Sequence, residues 1–132
     1  MRMEIARTMY YDIDVDEEIN RVYIDFKGDW MKVSDVPNYI MDIELALRHM
    51  RPGFTSLSDM VRMKPSSEEC YRLITKSAKM LVDAGMRKQA LIVDPETMDI
   101  IRNIRNTRAE VDTDEKLTRF VEHDEAHNWL EL

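Results

Sequence analysis

Tyr11-Asp12-Ile13-Asp14-Val15-Asp16 is the stretch of sequence that decides the fold. Its apolar and acidic residues alternate strictly, and a period of two is typical of a β-strand with one buried face. After a short polar turn the same alternation returns in residues 21–27, which end at Gly28. Because so short a connection joins antiparallel neighbours, we predict a β-hairpin at the start of the domain.

Beyond the hairpin, the apolar residues recur at steps of three and four, as they do on one face of a helix. This pattern predicts a first helix over residues 36–50, with Pro37 in its first turn and Pro52-Gly53 after its end. Residues 54–61 then have the character of a short strand. The periodicity therefore changes from strand to helix and back to strand within the first half of the chain.

The second half continues the alternation of helices and strands. A second helix opens at residues 65–69 and ends at Gly85, and residues 89–93 form an apolar run typical of a strand covered on both faces. The remaining pattern predicts a third helix, a strand and a last helix, at residues 94–104, 116–121 and 124–132.

This order of elements indicates an α/β domain. We expect a mixed, mostly parallel sheet with an N-terminal antiparallel hairpin and crossover helices. A chain of 132 residues fits one domain, long enough to bury roughly 65–70% of its extended surface. We assign residues 9–132 to this single domain and residues 1–8 to an N-terminal extension.

The composition, with 44% hydrophobic and 34% charged residues, is typical of a soluble globular protein. A net charge of −7 disfavours nucleic acid and anionic membrane surfaces as partners, because both repel an acidic protein. The first residues lack the apolar run of a signal peptide, and no stretch approaches the ~20 apolar residues that span a bilayer. We therefore expect a cytoplasmic protein without a membrane span.

Two stretches, residues 11–28 and residues 120–130, resemble the SpoIIAA-like family, the fold group that includes the STAS domains. In that family a closing strand meets a short helix containing alanine and a Trp-Leu pair, as Ala126 and Trp129-Leu130 do here. The resemblance covers nearly the whole chain. It implies a mixed, mostly parallel sheet with helices packed against it.

The resemblance also implies a regulatory site. In STAS domains that act as anti-sigma-factor antagonists, a serine at the start of the second helix is phosphorylated and switches partner binding, and Ser66 and Ser67 occupy the matching positions. The residues themselves favour another role, because Ser66 and Glu69 have the spacing of a capping box. Glu68 and Glu69 would repel a phosphate there, so we interpret Ser66 mainly as a helix cap.

Two motifs resemble metal sites, but we interpret the first as a solvated strand face and the second as an ordinary polar helix start. Asp12, Asp14 and Asp16 have the spacing that opens an EF-hand loop, but the glycine and glutamate that the loop also requires are absent. His123 and His127 have the spacing of a zinc-protease helix. An N-cap at Asp124, between the two histidines, would leave His123 outside the last helix, and no third ligand is evident nearby.

Cys70 is the only cysteine, so the chain can form no intrachain disulfide. It lies on the apolar face of the predicted second helix beside Leu73 and Ile74, where a thiol behaves as a small hydrophobe. A nucleophilic cysteine would require a nearby histidine, and the sequence supplies no evidence of one. We therefore expect no catalytic residue, no metal and no cofactor.

A basic stripe formed by Arg102, Arg105 and Arg108 recurs every three residues on the predicted third helix. Cations near a helix C-terminus are favourable by ~0.3–1 kcal/mol, so the stripe has an ordinary structural explanation. It is also a rare positive feature on an acidic chain. If the domain is regulatory, this stripe is where we expect a partner to bind.

Together these features predict a non-enzymatic regulatory or protein-interaction module of the SpoIIAA/STAS-like type, with a protein as its partner; a homodimer is left open. The alternative is a carrier or sensor of a small lipophilic ligand, which the likeness to Sec14-type lipid-binding domains also implies. Its pocket would lie between the first helix and the sheet, near Ile40, Ile43 and Leu47, where that helix has a broad apolar face. The eleven methionines either line such a pocket or, more commonly, fill the core.

Overall fold

The structure, a computed structural model, describes residues 1–93, 118–121 and 123–131. The third helix predicted at residues 94–104 and the basic stripe of Arg102, Arg105 and Arg108 lie outside the described residues. The strands within the described ranges are β1 (Met3–Arg7), β2 (Tyr11–Asp16), β3 (Arg21–Gly28), β4 (Thr55–Met63), β5 (Lys88–Ile92) and β6 (Thr118–Val121). The α-helices there are α1 (Tyr39–Leu47), α2 (Glu68–Asp83) and α3 (His123–Glu131).

The six described strands form one sheet in the order β1-β2-β3-β4-β5-β6. β1, β2 and β3 are antiparallel neighbours, whereas β4 pairs in parallel with both β3 and β5, and β5 pairs in parallel with β6. The alternating stretches in β2 and β3 do form the predicted antiparallel hairpin. The predicted fold class, a mixed sheet with an antiparallel start and parallel strands after it, is confirmed.

Strand β1 corrects the assignment of residues 1–8 to an N-terminal extension. Most of this segment belongs to the sheet, where β1 pairs with β2 at one edge. A β-bulge shifts the register between Glu4 and Ala6, so apolar and polar residues do not alternate simply along the strand. The segment therefore lacked the periodicity by which β2 and β3 could be predicted.

The pleat of the strands divides the apolar residues between the two faces of the sheet. The larger core lies on the face covered by α1 and α2, where Ile13, Ile24, Ile43 and Leu81 are buried. It includes a group of aromatic rings with neighbouring centroids 5.0 to 6.2 Å apart, formed by Tyr11, Phe26, Trp30 and Tyr39. A smaller cluster on the opposite face joins the sheet to α3, and it contains Tyr23, Leu57, Ala90, Ile92, Ala126, Trp129 and Leu130.

Helix α1 is shorter than the sequence pattern predicts. Val36 precedes Pro37 and has φ −127° and ψ 55°, which is not a helical conformation. The ring of a proline disfavours helical geometry in the residue before it. α1 therefore begins only at Tyr39, and a 3-10 turn at Val33–Asp35 precedes it.

Gly85 ends α2, as predicted, in a left-handed conformation with φ +99°. A β-carbon at this position would lie 3.1 Å from the Cα of Pro52, which is closer than ordinary packing allows. The backbone nitrogen of Gly53 also donates a hydrogen bond to the Gly85 carbonyl at 2.7 Å. This glycine thus ends the helix and lets two connecting loops approach each other.

No helix in the described part of the chain is long and apolar enough to cross a membrane.

Candidate functional site

A polar groove of about 320 Å³ lies on the sheet face that carries α3. The apolar residues of β2 and β3 point into the larger core, and the alternate residues Asp12, Asp14, Tyr23 and Asp25 on the opposite face line this groove. We use the name polar groove for the cavity lined by Arg2, Arg7, four aspartates, Tyr23, Leu57 and His127. Its lining is mostly charged, unlike the apolar interface of α1 and α2 with the other face.

Three aspartates form a row across the groove on neighbouring strands. Asp12 stands directly opposite Asp25, and Asp25 stands directly opposite Asp59. Lys27 Nζ lies 2.9 Å from the Asp12 carboxylate. The contact between Arg62 and Asp25 is longer, at 3.5 Å, and the two side chains are 60% and 44% exposed, respectively. Burial raises the pKa of Asp25, and repulsion from Asp59 raises it further. Like charges at directly opposite positions destabilise a sheet, so the row works against folding.

The fourth aspartate, Asp14, is paired with cations from the first seven residues. Arg7 Nη2 lies 2.7 Å from Asp14 Oδ1, and Arg2 Nη1 lies 4.0 Å from Oδ2. The Asp14 side chain is only 14% exposed, whereas that of Arg7 is 45% exposed, so solvent still screens this pair in part. This end of the groove is therefore close to neutral, and the least compensated negative charge lies at Asp59 and at Asp25, whose ion pair with Arg62 is long and exposed.

Tyr23 forms the aromatic floor of the groove. The guanidinium carbon of Arg2 lies 3.5 Å from the centroid of the Tyr23 ring. A cation over an aromatic face gains ~0.5–1 kcal/mol at exposed sites. The His127 ring lies on another side of Tyr23, with a centroid distance of 6.4 Å. The face of the Tyr23 ring thus already holds a guanidinium that belongs to the protein itself.

Helix α3 is held beside the groove by Arg21, whose side chain is almost completely buried. Its Nε donates to Thr55 Oγ1 at 2.8 Å and its Nη2 donates to Glu131 Oε1 at 2.8 Å. Nη1 lies 3.2 Å from His127 Nδ1. Because arginine has donors only, His127 Nδ1 is the acceptor in that contact. Arg21 therefore fixes the wall of the groove that His127 forms.

The start of α2 corrects the assignment of Ser66 as the helix cap. Ser67 is the N-cap, and its Oγ accepts a hydrogen bond from the Cys70 backbone nitrogen at 3.3 Å. Glu69 does not complete a capping box, because its carboxylate instead accepts a hydrogen bond from the Val33 backbone nitrogen at 3.1 Å. The cap moves from Ser66 to Ser67 because Cys70 is completely buried, and the residues of α2 that face the core set the position of its first turn. Phosphorylation of Ser66 or Ser67 stays a prediction.

The N-cap predicted at Asp124 is also wrong. α3 begins at His123, only two positions after β6 ends at Val121, so His123 and His127 lie on one helix. The helix therefore starts one residue earlier than the sequence pattern predicts. Within residues 1–93, 118–121 and 123–131, no group of three or more histidine, cysteine, aspartate or glutamate side chains is arranged to hold a metal ion.

The residues of the predicted lipophilic pocket pack within the protein. Ile43 is completely buried in the larger core, and Ile40 and Leu47 are partly buried against it. Their side chains contact the rest of the core rather than the polar groove, which lies on the other face of the sheet. Cys70 is likewise buried in this core and forms no disulfide.

The fold is similar to that of a solved structure, an uncharacterised protein of the DUF3478 family with a SpoIIAA-like fold, from Shewanella loihica PV-4. The match has a TM-score of 0.64 and covers 95% of this chain and 97% of that chain, with 14% sequence identity. The chain therefore has a SpoIIAA-like fold, as the resemblance implied. At this identity the similarity concerns the fold alone. No protein-family model matches the sequence, and no curated protein matches it.

Proposed function

We propose that this chain is a non-enzymatic, cytoplasmic regulatory module that binds another protein through the polar groove. The observation that supports the proposal is the row of aspartates Asp12, Asp25 and Asp59 on adjacent strands. Proteins violate local stability rules mainly at functional or strained sites, and the rest of the fold offsets the loss. A partner with positive charge would relieve the repulsion that the unbound protein tolerates.

The chemistry of the groove favours a polar partner over the lipophilic ligand of the alternative hypothesis. Asp25 and Asp59 would be desolvated by an apolar ligand without gaining a hydrogen bond, which is strongly unfavourable for a carboxylate. The apolar residues suggested for a lipid pocket, including Ile43, are already occupied in core packing. A protein surface can cover the groove and pair its charges at the same time.

The test compares two double variants that carry the same change of charge. Asp25→Asn with Asp59→Asn alters the groove, whereas Asp35→Asn with Asp83→Asn alters exposed positions that do not line it. Each purified full chain is immobilised and used to capture proteins from lysate of its own host, and the captured proteins are quantified by mass spectrometry. We expect a partner that the wild type and the control variant enrich and that the groove variant loses. Equal capture of every protein by all three folded chains would contradict the proposal.

A further inference from the structure

The guanidinium of Arg2 shows what kind of group the groove accepts. It lies 3.5 Å over the Tyr23 ring, near Asp14, and its side chain is about half exposed. Arginine stacks on aromatic faces more readily than lysine because its guanidinium is planar and weakly hydrated. The protein therefore carries an internal example of arginine recognition on the floor of the groove.

The neighbouring carboxylates have bonding capacity that their present contacts do not use. Asp59 Oδ1 accepts a hydrogen bond from the Val61 nitrogen at 3.0 Å, and Asp25 has the long, exposed contact with Arg62. An ionised carboxylate offers about four acceptor directions. Because Asp25 and Asp59 are direct neighbours on parallel strands, one planar cation between them can reach both.

We infer that the polar groove binds the arginine side chain of a partner, with the guanidinium between Asp25 and Asp59 and beside the ring of Tyr23. This inference rests on the proposed function and names the chemical group that the partner supplies. The planar fork of arginine can donate two parallel hydrogen bonds to a carboxylate, whereas an ammonium acts as a point charge. A second guanidinium would compete with Arg2 at the Tyr23 ring and with Arg62 at Asp25, so both arginines limit the affinity.

The experiment uses three synthetic peptides with the full-length chain. The first is acetyl-Gly-Arg-Gly-Arg-Gly-amide, the second has lysine in place of arginine, and the third has the uncharged isostere citrulline. Each is titrated into ¹⁵N-labelled protein, and the amide shifts give both the site and the dissociation constant. We expect shifts at Tyr23, Asp25 and Asp59 with the arginine peptide, at least fivefold weaker binding with lysine, and no binding with citrulline.

Substitutions at Asp25, Asp59 and Arg2 test whether these residues determine the affinity for the arginine peptide. Asp25→Asn with Asp59→Asn should weaken the arginine peptide at least tenfold, and the matched control, Asp35→Asn with Asp83→Asn, should bind as the wild type does. Arg2→Ala should bind several times more tightly because the competing guanidinium is gone. Circular dichroism checks that each variant is folded.

Three results would overturn the inference: equal binding of the lysine peptide, shifts outside the groove, or unchanged affinity in the Asp25/Asp59 variant. These failures are distinct from failure of the proposed function. If the Asp25/Asp59 variant loses a cellular partner but the arginine peptide does not bind, the groove is an interaction site for another chemical group. If the peptide binds as expected but no partner depends on the groove, the proposed function is the part that fails.

Discussion

The buried guanidinium of Arg21 on β3 donates a hydrogen bond to the exposed carboxylate of Glu131 on α3 across 2.8 Å. Together with the Thr55 and His127 contacts, this pair attaches the last described helix to the sheet beside the polar groove. A buried cation depends on its partners far more than an exposed one does. The pair therefore links the stability of the domain to the shape of its candidate site.

Arg21→Ala should lower the free energy of unfolding by ~1–3 kcal/mol, because it removes the hydrogen bonds to His127 and Glu131 and leaves the buried Thr55 hydroxyl without its donor. Glu131→Ala should cost a similar ~1–3 kcal/mol, because it leaves the buried guanidinium of Arg21 without its carboxylate partner. Arg72→Ala is the control: it breaks an exposed ion pair with Glu68 and should change stability by less than ~0.5 kcal/mol. Urea unfolding measures all three, and equal losses for Arg21→Ala and Arg72→Ala would contradict the role of Arg21.

The cap of α2 gives a prediction that separates two adjacent serines. Ser67→Ala should cost ~0.5–2 kcal/mol because it removes the acceptor for the Cys70 nitrogen. Ser66→Ala should stay within ~0.5 kcal/mol of the wild type, as at most surface positions. Ser67→Asp should retain most of the stability because aspartate also caps helices well. Urea unfolding of the three variants measures these effects. A larger loss of unfolding free energy for Ser66→Ala than for Ser67→Ala would show that Ser66 caps the helix.

The repulsion between Asp25 and Asp59 predicts that Asp59→Asn stabilises the protein. At neutral pH the gain should be ~0.2–1 kcal/mol, the usual size of a cross-strand pair effect. The pKa of Asp25 should fall, because one of the charges that raise it is gone. Since repulsion requires both groups to be ionised, the gain should disappear as the pH falls through the raised pKa of Asp25. NMR titration of the side-chain carboxyl carbons and urea unfolding at two pH values test this, and Asp29→Asn, at an exposed position outside the helices and the groove, is the control.

A loss of stability for Asp59→Asn at neutral pH, with no change in the pKa of Asp25, would show that the two carboxylates do not interact. The asparagine can keep the hydrogen bond from the Val61 nitrogen through its own side-chain oxygen. The comparison therefore isolates the charge.

The buried phenols of Tyr11 and Tyr39 predict loss of stability in alkali. Burial raises the pKa of both side chains, and the hydrogen bond to Asp42 raises that of Tyr11 further. Their contribution to stability is fully present below the unfolded pKa of ~10. It decreases as the pH rises above that value, by up to ~1.4 kcal/mol per pH unit for each phenol, because only the unfolded chain ionises. Urea unfolding from pH 9 to 11 should therefore give a steeper decline for the wild type than for Tyr11→Phe with Tyr39→Phe, and equal slopes would contradict this.

The strands that the sequence predicted best are those with one face in the core. β2 and β3 place Ile13, Val15, Val22 and Ile24 in the larger core, and their opposite residues in or near the groove, so the alternation was complete and the hairpin followed. The parts that could not be predicted depend on contacts distant in sequence. The pairing of Asp25 with Asp59 is one of these, because the register of parallel strands is set by the packing of the whole sheet.

Residues of the candidate site were missed for the same reason. The alternation of β2 marked Asp12 and Asp14 as a solvated strand face, which is correct for one strand taken alone. β1 has no simple alternation because of its bulge, so Arg2 and Arg7 were assigned to an extension. Only the assembled sheet brings these four residues beside Tyr23 in one groove.

Carboxyl footprinting of the complex tests most directly whether the polar groove is the binding site. The chain, alone and with the partner recovered by capture, is treated with a carbodiimide and glycine ethyl ester, and mass spectrometry reports the labelling of each carboxylate. The account predicts that the partner strongly reduces labelling of Asp25 and Asp59 and leaves Asp35 and Asp83 unchanged. Unchanged labelling of Asp25 and Asp59, with protection confined to Glu68 and Glu69 beside Ser67, would contradict it and place the interaction at the start of α2.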